Sequence, residues 1–183
     1  IGKLFNGGQT CIAPDYVLLP RGSEDRFVAE LERVVNERFP GLQGLSAMIS
    51  DRAKARLEHI VQDASAKGAK VHPLSKVTPP GRGMTPVALS NVNDDMLAMQ
   101  EELFGPILPI ETYDRLDEAL ERINRRPRPL AFYYFDDDAS RAEHVLSQVT
   151  SGGACVNDTL VHFAQETLPF GGVGESGMGH YHG

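Results

Sequence analysis

The chain has 183 residues, of which 41% are hydrophobic and 23% are charged, and this balance is typical of a folded domain rather than a disordered chain. Its 18 basic and 25 acidic residues give a net charge of −7, so the composition does not provide the basic face that nucleic acids require. No apolar run approaches the ~20 residues of a membrane span. We therefore expect neither a nucleic acid nor a membrane as a partner.

Two cysteines, Cys11 and Cys155, lie far apart in the sequence. This sparse usage argues against a disulfide framework and favours the reducing cytoplasm. The chain begins at Ile1 in what reads as the middle of a protein, and it stops at Gly183 directly after a glycine-rich run. We therefore expect it to be a piece of a larger protein.

Hydrophobic periodicity and turn residues predict alternating strands and helices. In chain order, they are a strand at 16–19, a helix after Ser23 that ends before Pro40, a helix from about Ser50 to Gly68, strands at 69–72, 86–89 and 106–113, a helix at 114–124, a strand at 130–135, a helix that starts within 136–138 and ends at 151–153, and a strand at 154–157. Such alternation predicts one α/β domain, a three-layer α/β/α arrangement around a mostly parallel, Rossmann-like sheet.

The first segment that could carry chemistry is Phe5-Asn6-Gly7-Gly8-Gln9-Thr10-Cys11. A cysteine is nucleophilic as a thiolate, which backbone amides or a cation stabilise. The paired glycines allow a tight turn whose amides could face a substrate oxygen beside the sulfur. The competing interpretation is a buried cysteine in a glycine turn.

The second segment, residues 100–106, places two acids before Phe104 and a Gly-Pro turn at the mouth of a strand. A carboxylate at a strand edge can accept hydrogen bonds from a ribose diol, and the adjacent phenylalanine could pack on a nicotinamide ring. The simpler interpretation is a solvated acid pair with Phe104 in the core.

The third segment, residues 168–179, contains a formal G-x-G-x-x-G match at Gly172, Gly174 and Gly177. Because no strand precedes this match and no helix is predicted after it, we do not interpret it as a dinucleotide fingerprint. A long glycine-rich loop lining a substrate entrance fits better, with Phe170 as an apolar wall. His180 and His182 do not have metal-ligand spacing, and no metal site is predicted.

Taken in order, these three segments resemble the aldehyde dehydrogenase superfamily. Residues 5–11 are similar to its nucleophile motif, residues 101–106 to its cofactor-ribose motif, and residues 169–177 to its C-terminal loop. Residues 156–158, His162 and the ending at 177–183 resemble the branch that acts on fatty and aromatic aldehydes, such as the coniferyl aldehyde dehydrogenases.

The resemblance implies oxidation of an aldehyde to its carboxylic acid with NAD or NADP as acceptor. Cys11 would form a thiohemiacetal and then a thioester, which water cleaves. The other roles that the resemblance implies are contact with the nicotinamide ribose for Glu102, contact with the nicotinamide for Phe104, substrate binding for Phe170, and support of the site for Asn6 and Asn157. His162 lies in an apolar–aromatic stretch and is a candidate for substrate binding, and the simpler interpretation is a structural histidine.

The family's cofactor-binding domain, which carries an oxyanion-hole asparagine and a glutamate base, precedes the nucleophile, and only ten residues precede Cys11 here. We therefore expect residues 1–183 to be an isolated catalytic domain that lacks this N-terminal domain and the C-terminal tail, and that is inactive alone. The absent domain would bind most of the cofactor. The intact parent is expected to be a cytoplasmic homodimer or homotetramer.

Two other function classes stay open. One is a cysteine-dependent hydrolase or acyltransferase that pairs Cys11 with His162 or His180 as base. The other is a non-catalytic module of the same fold, in which Cys11 would be inert.

Overall fold

The computed structural model describes residues 1–183 and divides them into two compact units, Ile1–Tyr113 and Asp114–Gly183. The prediction of a single domain is not tested by this division and stays a prediction. None of the helices is both long and apolar enough to cross a membrane.

The first unit is built around a four-stranded sheet. Its elements are β1 (Val17–Pro20), α1 (Glu24–Arg38), α2 (Asp51–Ala66), β2 (Lys70–Pro73), β3 (Val87–Ser90), α3 (Leu97–Gln100) and β4 (Ile107–Tyr113). The strand order is β1-β4-β3-β2, in which β4 pairs in parallel with both β1 and β3 while β2 runs antiparallel to β3. The prediction of a mostly parallel sheet is confirmed.

The two faces of this sheet are covered by different helices. On β3, Leu89 packs in a cluster with Leu57 and Ile60 of α2, whereas Ala88 packs in a second cluster with Val35 of α1. Because neighbouring side chains in a strand point to opposite faces, the two helices cover opposite faces of the sheet. This alternation confirms the α/β/α layering within the unit.

The second unit contains α4 (Leu116–Arg125), β5 (Ala131–Tyr134), α5 (Ala139–Gln148) and β6 (Gly153–Val156). The strands β5 and β6 pair in parallel, with Ala131 opposite Gly153. After β6 the chain has only short 3-10 turns, Val161–Ala164 and Gly174–Ser176, and an isolated bridge between Phe170 and His182.

The sequence placed the main helices and strands within a few residues of their observed bounds. Helix α5 begins as expected, because the Asp138 carboxylate accepts a hydrogen bond from the Arg141 amide at 3.0 Å. Ser23 occupies the N-cap position of α1, but its hydroxyl donates to the Pro20 carbonyl, 2.5 Å away, and makes no capping bond. The four-residue helix α3 was not predicted.

Candidate active site

The thiol segment, residues 2–11, has an irregular backbone and ends at Cys11, whose side chain is exposed. Its 3-10 turns are interrupted at Phe5, Asn6 and Gly7, where the backbone leaves helical geometry, and both Asn6 and Gly7 adopt positive φ. The Asn6 side chain donates to the Gln9 carbonyl at 3.2 Å and so bridges the turn before the cysteine. The supporting role expected of Asn6 is compatible with this bond and stays a prediction.

Gln9 anchors this turn to a neighbouring loop. Its amide nitrogen donates to the carbonyls of Asn6 (2.9 Å) and Ala47 (3.1 Å), and its amide oxygen accepts from the Ile49 amide at 2.8 Å. A side chain that uses both ends of its amide in this way fixes the backbone two residues before Cys11. Sequence reasoning included Gln9 in the motif but did not assign it this task.

The thiol segment packs directly against the second predicted segment. A Cβ atom on Gly8, which has φ +80°, would lie 2.4 Å from the Gly105 carbonyl oxygen. Only a glycine permits so close an approach of two backbones. The structure therefore brings together the residues around Cys11 and those around Glu102.

The cofactor segment, residues 101–105, presents the side chains of Glu101, Glu102 and Phe104 to solvent. Glu102 is exposed, and Phe104 is 41% exposed at φ +52°, a conformation that bulky residues rarely adopt. Partial burial, and then the nearby Asp15 charge, raise the pKa of Glu102. An exposed carboxylate beside an exposed aromatic ring has the chemistry to accept hydrogen bonds from a ribose diol and to pack on a nicotinamide.

Next to this segment lies an ion pair between a buried lysine and a partly exposed aspartate, which sequence reasoning missed. The Lys3 ammonium is 3.9 Å from the Asp15 carboxylate, and Lys3 is only 9% exposed. Burial lowers the pKa of Lys3 to about 8, although the Asp15 and Glu102 charges oppose this effect, and burial raises the pKa of Asp15. No spacing rule joins Lys3 to Asp15, so the sequence carried no signal for the pair.

His162 lies in the second unit, buried in an aromatic setting. Its Nδ1 is 3.2 Å from the Cys155 sulfur, and its ring centroid is 5.8 Å from that of Tyr133 and 6.1 Å from that of Phe170. Its Nε2 is buried without a hydrogen-bond partner, and burial lowers the pKa of the imidazole. A Cβ on Gly153 would meet this ring at 2.6 Å. The substrate-binding roles of His162 and Phe170 stay predictions.

Asn157 holds together the ends of β5 and β6. Its side-chain oxygen accepts from the Asp136 amide and its nitrogen donates to the Asp136 carbonyl, both at 2.8 Å. Its own φ is +59°, which asparagine tolerates better than most residues. Both of these side-chain hydrogen bonds go to Asp136 and neither reaches the Cys11 loop. Support of that loop by Asn157 stays a prediction.

The glycine-rich stretch has no helix at the G-x-G-x-x-G match. Gly174–Ser176 forms one 3-10 turn, and Gly177 adopts φ +127° after it. The absence of a strand–helix context agrees with our rejection of a dinucleotide fingerprint. No group of three or more His, Cys, Asp or Glu side chains is placed to hold a metal ion.

The fold is α/β with a mostly parallel sheet, and comparison with known proteins identifies the family. The aldehyde dehydrogenase family model matches residues 1–183, so the chain belongs to the aldehyde dehydrogenase family. The resemblance recognised in the sequence is confirmed.

Among its relatives is a probable coniferyl aldehyde dehydrogenase of Pseudomonas aeruginosa, 50% identical over 185 residues that cover 100% of this chain and 39% of the relative. A coniferyl aldehyde dehydrogenase of a Pseudomonas species is 46% identical, in an alignment that covers 99% of this chain and 39% of that relative. The substrate-bound state of Staphylococcus aureus AldH superposes with a TM-score of 0.89 at 38% identity, covering 100% of this chain and 40% of that one.

A Mycobacterium tuberculosis aldehyde dehydrogenase complexed with NAD+ has a TM-score of 0.85 at 26% identity, covering 98% of this chain and 38% of that one. The chain thus spans about two fifths of the length of the curated relatives that it matches.

Proposed function

We propose that this chain is the thiol-bearing catalytic part of an NAD(P)-dependent aldehyde dehydrogenase that acts on aromatic aldehydes such as coniferyl aldehyde, or on fatty aldehydes. The observation that carries the proposal is the contact of Gly8 with Gly105, which packs the Cys11 segment against the segment of Glu102 and Phe104. The names of the Pseudomonas relatives support the choice of aromatic substrate.

In the proposed reaction, the Cys11 thiolate adds to the aldehyde carbon and forms a thiohemiacetal. The backbone amide of Cys11 would donate to the oxyanion that develops. Loss of hydride from the same carbon leaves a thioester on Cys11. Water then cleaves the carbon–sulfur bond, which releases the carboxylic acid and restores the thiol.

A bound nicotinamide dinucleotide would supply the hydride acceptor. Glu102 would accept hydrogen bonds from the nicotinamide ribose, and Phe104 would contact the nicotinamide ring. The exposure of both side chains on a tightly held segment supports this assignment. Relatives of known structure carry NAD+ or NADP, which supports the cofactor class.

The remaining parts of the proposal concern the whole protein. We propose that a longer parent, cytoplasmic and dimeric or tetrameric, supplies most of the cofactor site, and that residues 1–183 do not turn over substrate by themselves. The 39% coverage of the relatives supports this view.

The hydrolase alternative with His162 as base has little support. The Nδ1 of His162 is hydrogen-bonded to the Cys155 sulfur, and its Nε2 is buried. Neither nitrogen is therefore available to a second thiol in this conformation. His180 is exposed on the glycine-rich stretch, where nothing buries or orients it as a base. The non-catalytic module predicts an inert Cys11, which the following experiment tests.

The test is Cys11→Ala in the full-length protein, assayed for aldehyde-dependent reduction of NAD+ and NADP+. We expect turnover to fall by about 10³-fold or more, because a missing nucleophile leaves only binding and polarisation of the substrate. Cys155→Ser is the matched control, since it removes the chain's other, buried thiol but keeps a hydroxyl next to His162, and it should keep most of the activity. Normal turnover by a folded Cys11→Ala protein would sink the proposal.

A further inference from the structure

The cofactor segment, residues 101–105, is bent in a way that needs external support. Phe104 at φ +52° lies in the left-handed region, a conformation that is unfavourable for a bulky residue and persists only where neighbouring contacts determine it. Leu103, one residue earlier, is completely buried. The orientation of Glu102 and Phe104 therefore depends on what holds the backbone between them.

Two side chains from distant parts of the sequence hold that backbone. The Asp15 carboxylate accepts a hydrogen bond from the Leu103 amide at 3.1 Å, across 88 positions of sequence. The Arg56 guanidinium donates to the carbonyls of Glu102, at 3.3 Å, and Leu103, and also to the Glu101 carboxylate at 3.1 Å. Both backbone polar groups of Leu103 are thus bonded to charged side chains, and such bonds are stronger than neutral ones.

Asp15 also connects this segment to the thiol segment. Its carboxylate faces the buried Lys3 ammonium, which belongs to residues 2–11. A buried ammonium is costly unless an anion accompanies it, so the burial of Lys3 depends on Asp15, whose side chain is 40% exposed. One carboxylate consequently contacts both the segment that carries Cys11 and the segment that carries Glu102.

We propose that Asp15 is a positioning residue for cofactor binding, which acts with Arg56 to fix the backbone of residues 102 and 103 so that Glu102 and Phe104 face the nicotinamide riboside. This inference rests on the proposed function and deepens it. It assigns a task to Asp15 and Arg56, neither of which touches the reacting atoms.

The test compares Asp15→Ala with the wild type in the full-length protein, by equilibrium binding of NAD+ and by KM for the cofactor and for the aldehyde. Loss of a charge-assisted bond to Leu103 should weaken cofactor affinity about tenfold to a hundredfold. The aldehyde KM should change less than twofold. Asp15→Asn, which keeps an oxygen acceptor, should recover part of the cofactor affinity.

Asp25→Ala is the matched control, because it removes one exposed carboxylate from α1 and should leave every constant unchanged. Wild-type cofactor affinity in a folded Asp15→Ala protein would overturn the proposal, and so would an equal rise of both KM values. Should Asp15→Ala fail to fold, Arg56→Met serves instead, since Arg56 is partly exposed; wild-type cofactor affinity in that folded variant would equally overturn it.

Hydrogen exchange at the Leu103 amide separates this proposal from the proposed function. In folded Asp15→Ala that amide should exchange at least about tenfold faster than in the wild type, whether or not the protein oxidises aldehydes. A wild type that neither binds the dinucleotide nor oxidises aldehydes contradicts the proposed function. An unchanged Leu103 exchange rate in Asp15→Ala contradicts the positioning role alone.

Discussion

Gly8 combines a left-handed backbone with contact to another backbone. Its φ is +80°, and an added Cβ would lie 2.4 Å from the Gly105 carbonyl oxygen. Gly22 has nearly the same φ, +85°, but a Cβ added there would have no atom within 4 Å. Comparing alanine substitutions at Gly8 and Gly22 therefore separates the free-energy cost of the positive φ from the cost of disrupting the contact with Gly105.

We expect Gly22→Ala to lower the free energy of unfolding by about 1–2 kcal/mol, the usual penalty for alanine at positive φ. Gly8→Ala should cost that amount plus about 1–3 kcal/mol, because the two segments must move apart. Only Gly8→Ala should also weaken turnover. Urea unfolding and steady-state kinetics of both variants in the full-length protein make the measurement, and equal losses for the two would show that the Gly105 contact contributes nothing.

Single residues also show where sequence reasoning stopped. The cysteine, the paired glycines and the acid–aromatic pair stand in short local patterns, and their chemistry could be inferred before any fold was known. Asp15 and Arg56 could not be assigned, because they meet Leu103 across 88 and 47 positions of sequence. Such contacts arise only when the sheet and α2 are in place.

At the level of elements, β5 and β6 form a short parallel pair whose ends are tied by Asn157. The two amide bonds to Asp136 close the ladder just beyond the last paired residues, Tyr134 and Val156. A two-stranded pair has few backbone hydrogen bonds between its strands. The two side-chain hydrogen bonds of Asn157 therefore make a measurable contribution to its stability.

Asn157→Ala should lower the free energy of unfolding by about 1–3 kcal/mol through loss of both hydrogen bonds. Asn157→Gly loses the same bonds but accepts φ +59° freely, and should be about 1 kcal/mol more stable than the alanine variant. Asn124→Ala is the control, because Asn124 makes one exposed bond to Gln148. Thermal or urea unfolding gives the order, and an alanine variant as stable as the wild type would contradict it.

Elements with strong periodicity were the most predictable. Helix α2 was predicted from its apolar stripe and from Ser50, and the Ser50 hydroxyl accepts a hydrogen bond from the Ala53 amide at 3.1 Å. The four residues of α3 are too few to show a helical period. For Ser23, the sequence does not distinguish a hydroxyl that caps α1 from one that donates to the Pro20 carbonyl. Local pattern therefore gives element type, whereas tertiary contacts decide these details.

For the whole molecule, the alternation of strands and helices was sufficient to predict an α/β fold with a mostly parallel sheet. The antiparallel direction of β2 was not foreseen, because strand direction depends on the path of residues 74–86 between β2 and β3. The division into two compact units likewise depends on contacts that no local pattern reveals.

The candidate site offers a thiol, the Glu102 carboxylate that we propose to bind the ribose, and an aromatic ring. The glycine-rich stretch forms a 3-10 turn at Gly174–Ser176 and provides no helix N-terminus for a pyrophosphate. We therefore expect the isolated chain to give no aldehyde-dependent reduction of NAD+ or NADP+, measured by absorbance of the reduced nicotinamide. Circular dichroism should verify that the chain is folded, and the full-length protein at equal concentration is the positive control. Turnover by the isolated chain comparable to that control would show that these residues form a complete active site by themselves.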